Sequence, residues 1–392
     1  MARLARGIVA ALLLVTAAAV PAPAATGSAT EPLGGQRLAR TGVVVADPVP
    51  GVPDPPLVDA AAYLLADTGS GDVLAGLNAH VPRPPASVIK LLTALALLPR
   101  TDVQVPYVAT DADASVTGSR VGLVPGHDYT VNDLAYGLLL ASGNDAAHAL
   151  AEAAGGQQQA LAAMNDEAER LGAWRTRALT PHGLDEPGQV STPYDLALVA
   201  RAALADPVVS ALAATPAYVF PGPSGPYQIQ NQNRLLGRLP GAVGLKTGFT
   251  SGAGHTLVAA AQRDGRTLVA VVLGSEGRAE DAAGPLLEWG FAAGAGAGPV
   301  SRLLTPTEVA EERRHRERAA AETARDSADG TAALPAPVVE AVDEVLASRE
   351  WGRTAGPVIW AVAVTTVLVA GAILVRLTRR ARDRSRDGDV QR

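Results

Sequence analysis

The stretch Pro85-Ala86-Ser87-Val88-Ile89-Lys90 decides the reading of this chain. It sets a lysine three residues after a serine, and on a helix positions i and i+3 share a face. The run that follows, Leu91 to Leu98, is apolar on every side, the pattern of a helix inside a core. Lys90, between Ile89 and Leu91, is the only charge from Val88 to Leu98. A buried ammonium must be hydrogen-bonded or lose its proton, and either outcome makes Lys90 a candidate base for Ser87.

Usage of basic residues sharpens the point. Of 33 Lys plus Arg, two are lysine, Lys90 and Lys246, and the second opens Lys246-Thr247-Gly248. Arginine cannot deprotonate in a protein, whereas lysine can act as a base or a compact point charge. The net charge of -6 removes the electrostatic case for nucleic acid as a partner. With no cysteine, disulfides and thiolate metal sites are excluded.

Outward from this centre the chain divides by composition. Residues 1–25 read as an export signal, with Arg3 and Arg6 before an apolar run and Ala22-Pro23-Ala24 as the cleavage site. Residues 26–56 read as a flexible leader, and a folded body is expected over 57–298. Ala61–Ala66 and Val73–Gly76 pattern as strands. Helices are expected near Thr130–Leu140, near Ala146–Ala154 with Asp145 as cap, near Gln157–Leu171 and from Thr192. Ala242–Thr247, Thr256–Gln262 and Arg266–Leu273 pattern as strands before a last helix at Glu280–Ala293. Strands at both ends and helices between predict an α+β fold, an antiparallel sheet with helices on its faces and a helical subdomain.

Residues 299–356 read as a charged Ala/Arg/Glu linker and 357–375 as a transmembrane helix, nineteen positions without a charge. The arginines of 376–392 then form a basic cytoplasmic tail. The expected location is the cell membrane, single-pass, with the body outside.

Three elements stand in order: Ser87-x-x-Lys90, Ser142-Gly143-Asn144 and Lys246-Thr247-Gly248. With Pro181-His182-Gly183-Leu184, Asn231 and Asn233, and Phe249-Thr250, the set resembles the serine D-alanyl-D-alanine carboxypeptidases, the low-molecular-weight penicillin-binding proteins of β-lactamase-like fold. The resemblance implies that Ser87 attacks the carbonyl between two terminal D-alanines of a peptidoglycan stem peptide, with Lys90 as base and Ser142 as proton relay. Asn144, Lys246, Thr247 and Gly248 would bind substrate, and the N–H groups of Ser87 and Phe249 would form the oxyanion hole. It implies β-lactams as acylating inhibitors and no metal or cofactor. His148 reads as a helix-surface residue, His182 as loop-shaping, Asp195 as a helix-start support, and Asn231 and Asn233 as fixing the chain before the sheet.

Two other readings stay open. A class A β-lactamase carries Ser-Asp-Asn as its second motif and a glutamate with asparagine four residues on. Here Gly143 stands in that motif, and no such glutamate lies between Glu152 and Glu186. The other is a catalytically silent, membrane-anchored wall-binding or sensor protein.

Overall fold

Runs of valine, leucine and alanine closed by Asp-Thr-Gly or Asp-Gly turns become strands, and longer alanine-rich runs opened by Thr or Asp become helices. The computed structural model describes residues 32–45, 50–51, 54–293 and 298–331. Three strands come first, β1 (Val43–Val45), β2 (Ala62–Asp67) and β3 (Asp72–Leu77). A 3-10 turn, Ala86–Ile89, then leads into helix α1 (Lys90–Leu97).

The helical region continues with β4 (Pro106–Val108), α2 (Asp111–Ser115), β5 (Asp128–Thr130), α3 (Val131–Leu139), α4 (Asn144–Ala153), α5 (Gln157–Leu171), α6 (Pro193–Ala205) and α7 (Pro207–Ala214). After the hairpin β6 (Ala217–Phe220) and β7 (Tyr227–Gln230) come β8 (Ala242–Thr250), β9 (Gly254–Arg263), β10 (Arg266–Ser275), α8 (Ala279–Ala293), β11 (Ser301–Arg302) and α9 (Pro306–Thr331). Contacts divide the chain after Arg316. The first unit holds the sheet and the helices packed on it, and the described part of the second is the far end of α9.

The main sheet runs β1-β3-β2-β10-β9-β8, with β11 also on β3, and every pairing is antiparallel. One face packs on α1, α6 and α7 through Leu64, Leu92, Val199 and Leu212, and α4 and α5 pack behind α1. The opposite face packs on α8 through Leu65, Leu257, Leu268 and Leu287. Every residue of α1 is buried. Each leucine there contributes roughly 1.5–3 kcal/mol of transfer free energy, so the helix that begins at Lys90 is anchored along its whole length.

Several boundaries move. The leader is not wholly flexible: Val43–Val45 pair with Leu77, Gly76 and Ala75, and Leu33 and Leu38 are buried. Likewise the expected linker begins inside the fold. Ser301 and Arg302 pair with β3, and Val300, Leu303 and Val309 are buried. Both segments cover the outer edge of β3, satisfying N–H and C=O groups that would otherwise stay open. Helix α4 starts at Asn144 with Gly143 as its cap, so Asp145 is freed from capping. Among the described residues no single helix is long and apolar enough to cross a membrane. The expected signal (1–25), the span (357–375) and the tail (376–392) lie outside the described residues.

Candidate active site

Ser87 sits in the 3-10 turn rather than in the first turn of an α-helix, and Lys90 is the first residue of α1. Because residues i and i+3 eclipse in a 3-10 turn, the pair still shares one face. Lys90 Nζ lies 2.8 Å from Ser87 Oγ, 2.7 Å from Asn144 Oδ1, 2.8 Å from the His182 carbonyl oxygen and 3.4 Å from Ser142 Oγ. An ammonium has three protons for these four oxygens; a neutral amine could instead accept the Ser87 hydroxyl proton.

Burial decides between them. Lys90 is 0% exposed. Burial, aided by the nearby Lys246 charge and opposed by Asp145, holds its ammonium well below the ordinary lysine range. Burial thereby shifts Lys90 toward the neutral amine relative to an exposed lysine, and the neutral amine is the state that can take a proton from Ser87.

Asn144 fixes the base from the other side. Its Oδ1 accepts from Lys90 and its Nδ2 donates to the Thr117 carbonyl at 2.7 Å, so the amide orientation is set by both ends. Next to it, the buried Asp145 carboxylate accepts from the N–H groups of Val121, Gly122 and Leu123 at 2.9, 2.7 and 3.0 Å. That clamp holds the segment carrying Ser119 at the cleft wall. Ser142 adopts a left-handed backbone, φ 58°, in the tight connection before α4. From there its hydroxyl oxygen accepts from Lys90 Nζ at 3.4 Å.

Strand β8 forms the facing wall. A Cβ placed on Gly248 would lie 2.7 Å from Ser87 N, so only glycine lets this strand approach the serine turn so closely. Ser87, Ser142, Thr247, Gly248 and Phe249 line one open cleft of about 690 Å³. Lys246 is 1% exposed, and its Nζ donates to the Thr247 carbonyl at 2.7 Å. With that proton turned to its own strand, Lys246 acts on Lys90 through charge.

Burial pushes Lys246 down to about 7. Between pH 7 and 10.5 the folded state therefore binds fewer protons than the unfolded chain, so stability rises with pH there and is lost as pH falls toward 7. A tenfold change in proton affinity corresponds to about 1.4 kcal/mol. Lys246→Met is therefore expected to melt higher than wild type at pH 7, by about 2–4 °C for each kcal/mol recovered, with the gain shrinking as pH approaches 10. A lower melting temperature at pH 7 would show that burial of this lysine is compensated.

Some contributors carry no side-chain signature. His182 reaches Lys90 through its carbonyl, while its ring nitrogen Nδ1 accepts from Leu184 N at 3.3 Å, so it shapes the loop as well. Burial, with the Lys90 charge adding to it, brings the His182 imidazole down to about 4. His148 is not a plain surface residue, since its Nδ1 lies 2.6 Å from the buried Asp113 carboxylate. Asn233 Nδ2 donates to Gly244 O at 2.7 Å and Asn231 Nδ2 to Ala213 O at 3.0 Å, fixing the chain before β8. Asp195 accepts from Thr176 Oγ1 and Arg175 N, holding the segment before the His182 loop. Arg234, Arg238 and Arg278 also line the cleft together with Glu280, and Arg278 pairs with Asp281 at 2.9 Å, a charged rim that spacing alone does not reveal.

The fold brings Ser87, Lys90, Ser142 and Asn144 of the first two sequence elements into one hydrogen-bonded group, with Thr247 and Gly248 of the third on the facing wall. The family model for D-alanyl-D-alanine carboxypeptidase matches residues 51–277. The chain belongs to the D-alanyl-D-alanine carboxypeptidase family. Like the family as a whole, it is a serine-type peptidase. It is 46% identical over 248 residues to the D-alanyl-D-alanine carboxypeptidase DacB2 of Mycobacterium tuberculosis, a match covering 62% of this chain and 84% of that protein. To DacD of Salmonella typhimurium it is 40% identical over 264 residues, covering 63% of this chain and 66% of that relative.

Solved structures agree. A crystal structure of a D-alanyl-D-alanine carboxypeptidase from Mycobacterium tuberculosis superposes with a TM-score of 0.62 at 43% identity, covering 64% of this chain and 98% of that one. Penicillin-binding protein 6B of Escherichia coli superposes at 0.57 and 35% identity, covering 63% and 82%. The carboxypeptidase fold of the relatives thus coincides with the part of the chain that carries the site.

Proposed function

We propose that this carboxypeptidase removes the terminal D-alanine from peptidoglycan stem peptides through an acyl-enzyme on Ser87, and that penicillins acylate the same hydroxyl. The observation that carries the reading is the 2.8 Å contact between Ser87 Oγ and a fully buried Lys90 amine.

Ser87 Oγ gives its proton to Lys90 Nζ and bonds to the carbonyl carbon of the penultimate D-alanine. The developing oxyanion lies between the N–H groups of Ser87 and Phe249. Ser142 Oγ, 3.4 Å from Lys90 Nζ, passes the proton to the departing D-alanine amine. Water then cleaves the ester, with Lys90 again taking a proton. Thr247 and the arginine rim meet the substrate's terminal carboxylate, and the Lys246 charge adds to the field. Asn144 holds the substrate amide as well as the base.

β8 is the edge strand of the sheet, so an extended peptide can lie along it. An export signal at 1–25 and a span at 357–375 would place the cleft outside the membrane, where stem peptides are exposed.

The test is D-alanine release from a pentapeptide, together with fluorescent-penicillin labelling, by the full chain and by Ser87→Ala. Wild type is expected to release D-alanine and take label, and the variant to do neither. An unlabelled wild type would favour the silent sensor reading, and penicillin turnover much faster than D-alanine release would favour a β-lactamase.

A further inference from the structure

The loop 180–190 does more than supply one carbonyl. His182 O accepts from Lys90, and Gly183, at φ 87°, lies so close to the serine turn that a Cβ on it would sit 2.1 Å from Ala86 O. Ala86 itself is held at φ 50°, directly before the nucleophile. Three residues after His182, Asp185 reaches across to the end of β8. Its Oδ1 accepts from Thr250 Oγ1 at 2.7 Å and its Oδ2 from Gly252 N at 3.1 Å. Thr250 Oγ1 in turn accepts from Ala253 N at 3.0 Å, closing the β8–β9 turn.

A groove of about 510 Å³, lined by Pro84, Leu184, Pro187 and Val190, runs along this loop. Asp185 is exposed, and the groove leaves one side of the loop unpacked. At this end of the loop, where Asp185 and Gly252 themselves line the groove, the link to β8 is made by the two Asp185 hydrogen bonds.

We propose that Asp185 is a positioning residue, a clasp that fixes the separation between the base-bearing side of the site and the strand that carries the Phe249 N–H. It touches neither substrate nor the reacting atoms. The loop grips Lys90 and Ala86, while the clasp grips the strand one residue beyond Phe249. Loss of the clasp lets the two halves of the oxyanion hole drift apart. The inference rests on the acyl-enzyme reading above.

The experiment measures acylation of the full chain by a fluorescent penicillin, resolving the initial binding constant from the acylation rate constant. Asp185→Ala and Thr250→Val are expected to lower the rate constant about ten- to hundredfold, the scale of a misplacement near 1 Å, with initial binding little changed. The conservative Asp185→Asn and Thr250→Ser keep an acceptor and a hydroxyl, and are expected within about threefold of wild type. Acylation of Asp185→Ala at the wild-type rate would overturn the clasp, as would conservative variants as impaired as the truncated ones. If Asp185→Ala does not fold, the Thr250 pair carries the same comparison. A wild type that takes no penicillin overturns the acyl-enzyme reading instead, so the two failures are distinguishable.

Discussion

Lys90→Arg is expected to abolish most acylation of Ser87, by about 10²–10⁴-fold, the usual contribution of a positioned general base. The substitution keeps the positive charge, so it separates two roles that a truncation would merge. If the lysine acts only as a fixed cation, arginine should serve in part. If it must accept the Ser87 proton, a guanidinium that stays protonated cannot replace it. Geometry points the same way, because the four oxygens around Nζ at 2.7–3.4 Å suit a compact amine and leave no room for a planar fork.

The pH profile supplies a second readout. Wild-type acylation should rise with pH as Lys90 loses its proton. Since burial holds that proton's pKa well below the ordinary lysine value, the rise should be complete below the usual lysine range. The measurement is the rate of fluorescent-penicillin acylation from about pH 5 to about pH 9, for wild type and variant, a window that brackets a lysine titrating below its usual range. Robust acylation by Lys90→Arg would show that another group is the base.

Legibility of this site in the sequence followed the chemistry of side chains. A serine and a lysine three residues apart face one another in an α-helix and in a 3-10 turn alike, so the pairing holds whichever kind of helix forms. The rarity of lysine makes Lys246 visible for a similar reason. His182 is visible only as a loop residue, because its contact with Lys90 is made by a carbonyl that any residue would carry.

Asp145 reads as a cap since acidic residues collect at helix starts. Only the fold shows that three successive N–H groups of another segment converge on it. β1 is hidden by its surroundings: three valines in a Pro- and Gly-rich segment become a strand because the edge of β3 offers partners. The same holds for β11, two residues long, which pairs with Val73 and Asp72 and is also held by Tyr194 Oη on Arg302 O. The main sheet is readable from alternation and turns, whereas the covering of its edges depends on tertiary contacts.

Gly248→Ala tests the facing wall with a single methyl group, and acylation is expected to fall about 10²–10³-fold, the scale of losing one oxyanion donor. The new Cβ would stand 2.5 Å from Thr256 Oγ1, 2.7 Å from Ser87 N and 3.1 Å from Ala86 Cβ. None of these can give way easily. Thr256 is buried and its hydroxyl donates to Pro85 O at 3.0 Å, while Ala86 is fixed by the loop pressed against its carbonyl. The strand must therefore move away from the serine turn, carrying the Phe249 N–H with it.

Gly248 has no positive φ, so alanine introduces no backbone strain of its own, and the pairing of β8 with β9 should persist. The melting temperature should accordingly change far less than the acylation rate. Adding Thr256→Ala removes the contact with Oγ1 and leaves that with Ser87 N. The double variant should remain impaired if approach to the Ser87 N–H is what matters. Acylation restored by the second substitution would instead locate the damage at the Thr256–Pro85 contact and leave the oxyanion wall without support.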